Sequence, residues 1–215
     1  MRALADVDDL LRGEGSFAVN RAGTAFGRIV LLLTLFALLY GAVMGSYAGR
    51  PIQAVYSATK LPMLLLFTSV VCLPNFFVVN SVLGLRDDFS AALSGIAAAQ
   101  ATMAVTLAAM APVTVIAYLS LPVYRHALLF NGVVFAIATL AGQRTLARHY
   151  APLVRRNPRH RLARVAWGVL YVFVAIQLAW VLRPFIGDPG LAPRFLRDNA
   201  WSNAYVVVFS DVLGF

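Results

Sequence analysis

One cysteine, one lysine and three histidines in 215 residues leave little material for several kinds of chemistry. A single thiol, Cys72, allows neither an internal disulfide nor a thiolate metal cage, and it leaves the redox compartment open. His126, His149 and His160 fall at the ends of apolar runs or in a basic stretch, without metal-ligand spacing, so no metal site is expected. The stretch GEGS at Glu14 has neither the preceding strand nor the following lysine of a phosphate-binding loop. Asp87 and Asp88 are adjacent, point apart on a helix, and read as caps for the helix that follows. No catalytic residue and no cofactor site is therefore expected, and the chain reads as non-enzymatic.

Charge is scarce too. Only 13% of residues are charged and 60% are hydrophobic, against about 25% and about 45–50% in ordinary soluble domains. The mean hydropathy is +0.77. Too few polar side chains remain to cover a water-soluble core, and the natural solvent for such a chain is lipid. The net charge is +9, from 18 basic and 9 acidic residues. Because the basic residues sit beside apolar runs, anionic lipid headgroups are the expected partner rather than nucleic acid.

Crossing a hydrocarbon core of about 30 Å takes roughly 20 helical residues. Five stretches qualify, near 28–47, 61–83, 89–121, 123–143 and 163–182. The expected fold is thus all-α, a polytopic bundle of five transmembrane helices with interfacial N- and C-terminal segments. It divides into a cytosolic segment 1–27, in which Leu4, Val7, Leu10 and Leu11 would fall on one side of a short amphipathic helix, a membrane domain 28–182 and an extracytoplasmic tail 183–215. In that tail Trp201, Tyr205, Val208, Phe209 and Val212 recur at helical spacing, which suits a helix lying in the interface. With the N-terminus inside, the inside connections hold twelve basic residues and the outside ones six, so the N-terminus is expected in the cytoplasm and the C-terminus outside. Small size, short connections and arginine usage point to a bacterial inner membrane.

Within the spans the informative residues are prolines, small residues and amides. Pro74 and Pro112 lack an N–H and clash with the carbonyls four residues earlier, so each should bend its helix. Thr68, Cys72 and Asn75 are expected on one inward face beside the first bend. Ala97, Ala101, Ala104 and Ala108 form a small-residue stripe, and Gly41 and Gly45 repeat at four, so both helices can admit a close neighbour. Asn75, Asn80, Gln100, Asn131 and Gln177 either line a solute path or act as helix glue worth about 0.6 kcal/mol per contact on average. No Asp, Glu, Lys or Arg is expected deep in a span, which argues against a pump or a proton-coupled carrier.

The run QRTLARHYAPLVRRNPRHRLAR is read as a basic loop, 144–164, that sets orientation. Arg148, Arg155, Arg156 and Arg159 are its candidates for contact with anionic lipid or an acidic partner, each adding about 1 kcal/mol near an anionic leaflet. Five spans, short connections, kinked middle helices and an absence of catalytic residues resemble the Yip family of membrane-trafficking proteins and its bacterial relatives, although the Asp-Leu-Tyr-Gly motif of eukaryotic members is missing. GAVMGSYAGRPIQAVYSATKLPMLLL and WVLRPFIG also resemble bacterial membrane proteins without an assigned activity. The resemblance implies a protein that works through partners. The expected function is a scaffold, subunit or assembly factor contacting other membrane subunits or itself. The alternatives are a small channel or carrier for an uncharged or weakly charged solute, and a membrane enzyme acting on lipid headgroups.

Overall fold

The computed structural model describes residues 6–10, 22–120 and 123–196, and every regular element among them is helical. The helices are α1 (Ala22–Gly45), α2 (Pro51–Val82), α3 (Phe89–Ala109), α4 (Ala111–Ser120), α5 (Tyr124–Arg156) and α6 (Arg159–Leu182). Among the described residues, five regions are long and apolar enough to cross a membrane: Phe26–Gly45, Pro51–Val82, Arg86–Ala109, Tyr124–Arg156 and Arg159–Leu182. The residues of the expected C-terminal interfacial helix lie outside the described part. Near the N-terminus, residues 6–10 are helical, Leu10 is buried in the main core, and Asp6 pairs with Arg28.

Proline and glycine set the breaks. Pro51 occupies the first turn of α2, where its missing N–H costs nothing. Gly84 takes φ +71° after that helix, with the N–H of Leu85 bonded to the carbonyl of Asn80 at 2.8 Å and that of Gly84 to Ser81 at 3.1 Å. This is the six-to-one and five-to-two pairing that closes a helix, and it needs a residue tolerant of positive φ. Pro112 cannot donate to Ala108, and the helix ends: Met110 caps α3, and the Thr114 N–H returns to the Met110 carbonyl at 2.9 Å to start α4. The expected third span is therefore two helices rather than one bent one. The chain stays helical through Pro62 and Pro74.

A larger correction concerns 144–164. It is not a loop, because α5 continues to Arg156 and α6 begins at Arg159, leaving Asn157 and Pro158 as the connection. Arginine is a good helix former, and Arg155 and Arg156 in the last turn complement the negative end of the helix dipole.

Contacts give the order of the helices around the bundle. α1 packs between α2 and α3, α5 packs on α3, and α6 packs on α2. α2 and α6 run antiparallel, since Phe76 meets Trp167 with ring centroids 5.1 Å apart while Lys60 reaches Pro184. α3 and α5 do the same, with Gly95 against His149 and Gly142 against Ala99. The polypeptide thus alternates direction through the five spans. One end of the bundle gathers residues 46–50, 123–124 and 183–196; the other gathers 83–88 and 157–158. α3 is the central helix, most of its side chains buried. α5 and α6, the two ends of this open ring, meet mainly near their connection.

Candidate functional site

Because α5 and α6 diverge, the interior holds a cleft of 1160 Å³. Leu128, Gly132 and Phe135 of α5 face Val172, Ala175, Ile176 and Ala179 of α6 across it. Ala99, Gln100 and Met103 of α3 line its back, with Leu64 and Leu65 of α2. Its walls are mostly apolar, with Gln100, Asn131, Thr139, Gln143 and Tyr171 as polar points. Leu128, Val172 and Ile176 are exposed, so the gap between α5 and α6 opens sideways to the surface that would face lipid. The 183–194 segment closes one end and brings Arg183, Asp188 and Arg194 to the mouth.

That segment is held by a ladder of donors on the first turns of α2, spaced at three and four so that they share one face. Arg50 donates to the carbonyls of Asp188 and Leu191. Gln53 Nε2 donates to those of Pro184, at 3.0 Å, and Phe185, at 3.2 Å. Ser57 also donates to Phe185, and Lys60 Nζ donates to Pro184 at 2.7 Å while lying 4.9 Å from the centre of the Phe195 ring. From α5, Tyr124 Oη donates to Ile186 at 3.0 Å. Lys60 is fully buried, a correction to the expectation of spans without interior charge: α2 starts at Pro51, and Lys60 lies inside it rather than in a connection. Its carbonyl and ring partners are the kind that make a buried ammonium tolerable.

Polar residues of the spans divide by location. Asn131, 4% exposed, joins three helices: Tyr40 Oη donates to its Oδ1 at 2.9 Å, and its Nδ2 donates to Tyr118 Oη at 2.8 Å. Tyr118 Oη donates to the Met44 carbonyl at 2.9 Å, and Thr114 donates to Tyr40 at 3.5 Å. Gln100 accepts from Tyr171 Oη at 3.0 Å, tying α3 to α6 across the back of the cleft. Thr68 and Asn80 are buried and bond back to their own helix, at Leu64 and Phe76. Gln177 is half-buried.

Asn75 does not join them. It is exposed, because the buried row of α2 steps by four from Thr68 through Cys72 and Phe76 to Asn80 and passes it by. Ala101, Ala104 and Ala108 are buried and Ala97 is half-buried. A Cβ on Gly41 would lie 2.8 Å from the Ala58 Cα, and one on Gly45 would lie 2.7 Å from the Ala54 Cα, so α1 and α2 touch backbone to backbone there.

At the opposite end, Asp88 makes no capping bond to α3, contrary to expectation. Its carboxylate instead accepts from His160 Nε2 at 3.0 Å and meets Arg156 at 3.5 Å, binding the α5–α6 connection to the α2–α3 turn. Arg159 donates to the Leu83 carbonyl at 3.3 Å. Arg148, Arg155, Arg156 and Arg159 are all exposed, whereas His149 and His160 are buried. Among the described residues no three His, Cys, Asp or Glu side chains come together as metal ligands.

Sequence reasoning missed the cleft, the tyrosines of the Asn131 network, and Lys60. The last had a signal, since Arg50, Gln53, Ser57 and Lys60 form a polar stripe at helical spacing. No protein-family model, curated protein or solved structure matches the chain.

Proposed function

We propose that this is a non-catalytic integral membrane protein that takes a lipid hydrocarbon chain laterally into the cleft between α5 and α6, and serves a membrane assembly as a scaffold or subunit. The cleft carries the reading. At 1160 Å³ it exceeds the roughly 300–1,000 Å³ of most small-molecule pockets, and its apolar walls part on the lipid-facing side. From Leu128 to Leu146, α5 lines it over about 27 Å at 1.5 Å per residue. That exceeds the roughly 15 Å half-thickness of a hydrocarbon core, so a full chain of one leaflet has room.

Gly132 supplies the test. It lines the cleft, and a Cβ there would meet nothing within 4 Å, so Gly132→Phe fills the space without disturbing the backbone. Trp167 lines the cleft from α6, and with Trp180 and Trp201 replaced by Phe it is the energy-transfer donor. In detergent micelles, phosphatidylcholine with a pyrene-labelled chain should quench it saturably in the wild type and without saturation in Gly132→Phe. Equal saturable transfer in both proteins would defeat the reading.

A bacterial inner membrane with the N-terminus cytoplasmic is the setting we infer. The orientation is supported by the arginines on the helix ends that flank the α5–α6 connection, Arg155, Arg156 and Arg159 among them, gathered with Arg86 at one end of the bundle. Terminal tags reached from the same side of the membrane would refute that topology. A carrier for an uncharged or weakly charged solute is the second reading, favoured by Gln100 and Asn131 on the cleft wall. Liposome flux abolished by Gln100→Leu would select it.

A further inference from the structure

We infer that the cleft selects a phospholipid with an anionic headgroup, held at the mouth by Arg183 and Arg194. The inference rests on the lipid reading above and adds the chemistry of the head. The observation behind it is the unequal distribution of charge along one continuous cavity. Its deep part, beside Leu146, Trp167 and Met103, is lined by apolar groups with the uncharged Gln100, Thr139, Gln143 and Tyr171, while its mouth holds Arg183, Arg194 and Asp188.

Beneath the mouth two further cations, Arg50 and Lys60, are fixed by the carbonyls of the 184–191 segment. Among the described residues, four basic side chains and one carboxylate thus gather at this end of the cleft. That carboxylate is engaged locally, with Asp188 Oδ1 accepting the Gly190 N–H at 2.9 Å. Arg183 is also positioned: its guanidinium lies 4.6 Å over the ring of Trp180, which restricts the arginine while leaving its edge able to donate.

A guanidinium matches a phosphodiester, whose oxygens accept two parallel N–H bonds from one arginine, and two arginines line this mouth. The rest of the lipid follows from the geometry. A phosphate anchored at Arg183 and Arg194 sits at the end of α6, and its chain then runs down the apolar gap between α5 and α6. A free inorganic anion would satisfy the mouth and leave the deep cavity unused, so a lipid accounts for the whole of the site. A zwitterionic lipid brings its own ammonium to a mouth already rich in cations, and the like charges repel.

The experiment is competition between pyrene-labelled phosphatidylglycerol and phosphatidylcholine, read by energy transfer from Trp167 in the full-length protein carrying Trp180→Phe and Trp201→Phe, in neutral micelles. The wild type should prefer phosphatidylglycerol about tenfold, given about 1 kcal/mol of attraction per arginine before screening. In Arg183→Gln/Arg194→Gln the preference should shrink to about even, with phosphatidylcholine transfer retained. Asp188→Asn, which keeps the acceptor for Gly190, should raise the preference, and this arm does not depend on how the double variant folds. Excess inorganic phosphate should leave the bound lipid in place.

No preference in the wild type, an unchanged preference in the double variant, or loss of both lipids there would each overturn the headgroup assignment. So would displacement of the lipid by phosphate. If Gly132→Phe fails to block transfer, the cleft reading itself falls, and that outcome is separate from any result on the arginines.

Discussion

Adding one methyl group at Gly41 or Gly45 tests the packing on which the bundle depends. In an isolated helix, glycine to alanine is favourable by about 0.8–1 kcal/mol, so at an open site the substitution stabilises. Here the geometry reverses the sign. At Gly41 the new carbon would sit 2.8 Å from the Ala58 Cα and 2.9 Å from the Ser57 carbonyl carbon. At Gly45 it would sit 2.7 Å from the Ala54 Cα and 2.8 Å from the Ser57 Cβ. Carbons prefer about 3.5–4.0 Å, so α1 must retreat by about 1 Å, and the backbone it meets has no rotamer to change. Overpacking of this kind costs about 1–3 kcal/mol. The double variant should lose less than the sum, because both methyls press on Ser57 and one displacement relieves both. Cys72 is the lone thiol and is fully buried, so labelling by a thiol-reactive dye during an SDS titration in mild micelles reads unfolding directly. Gly168→Ala is the control, since a Cβ there meets nothing within 4 Å. The reasoning is refuted if Gly41→Ala and Gly45→Ala raise the unfolding midpoint as Gly168→Ala does.

Two other substitutions discriminate in the same assay. Asn131→Leu removes the bonds to Tyr40 and Tyr118 and should cost about 1–3 kcal/mol, interhelical bonds in membranes averaging about 0.6 and reaching about 1.7 kcal/mol each. Tyr40→Phe added to it should cost almost nothing more, and full additivity would show that the two do not share a bond. Lys60→Met should change stability by less than about 1 kcal/mol, because Gln53 also donates to the Pro184 carbonyl and an apolar replacement of similar length removes a buried charge. Gln53→Leu alone should be as mild, since Lys60 still serves the Pro184 carbonyl and Ser57 that of Phe185, but Gln53→Leu with Lys60→Met leaves Pro184 without a side-chain donor and should cost about 1–3 kcal/mol more than the two single changes together; strict additivity would contradict the ladder.

The five spans could be read from the sequence because length and apolarity alone decide whether a helix can cross a bilayer. Which face of each helix turns inward was much harder to read. In water the inward face is the apolar one, but lipid is as apolar as the protein interior, so leucine and valine carry no direction. Only residues with a reason to avoid lipid mark a face, and they do so unevenly. Asn131 points inward because two tyrosines and its own helix satisfy it there. Asn75, of the same type and also in a span, faces outward, because the buried row of α2 takes Phe76 in its place. The α2 ladder was hidden for a different reason. Its donors lie more than 120 residues from the carbonyls they bind, and backbone carbonyls leave no trace in an amino-acid sequence. Lys60 makes the point most sharply. Counted as a surface charge by its position next to an apolar run, it is buried because a distant, otherwise unremarkable segment folds back over α2, and the same fold-back carries Arg183 and Arg194 to the mouth of the cleft. The site is thus assembled by a non-helical segment that follows the last span.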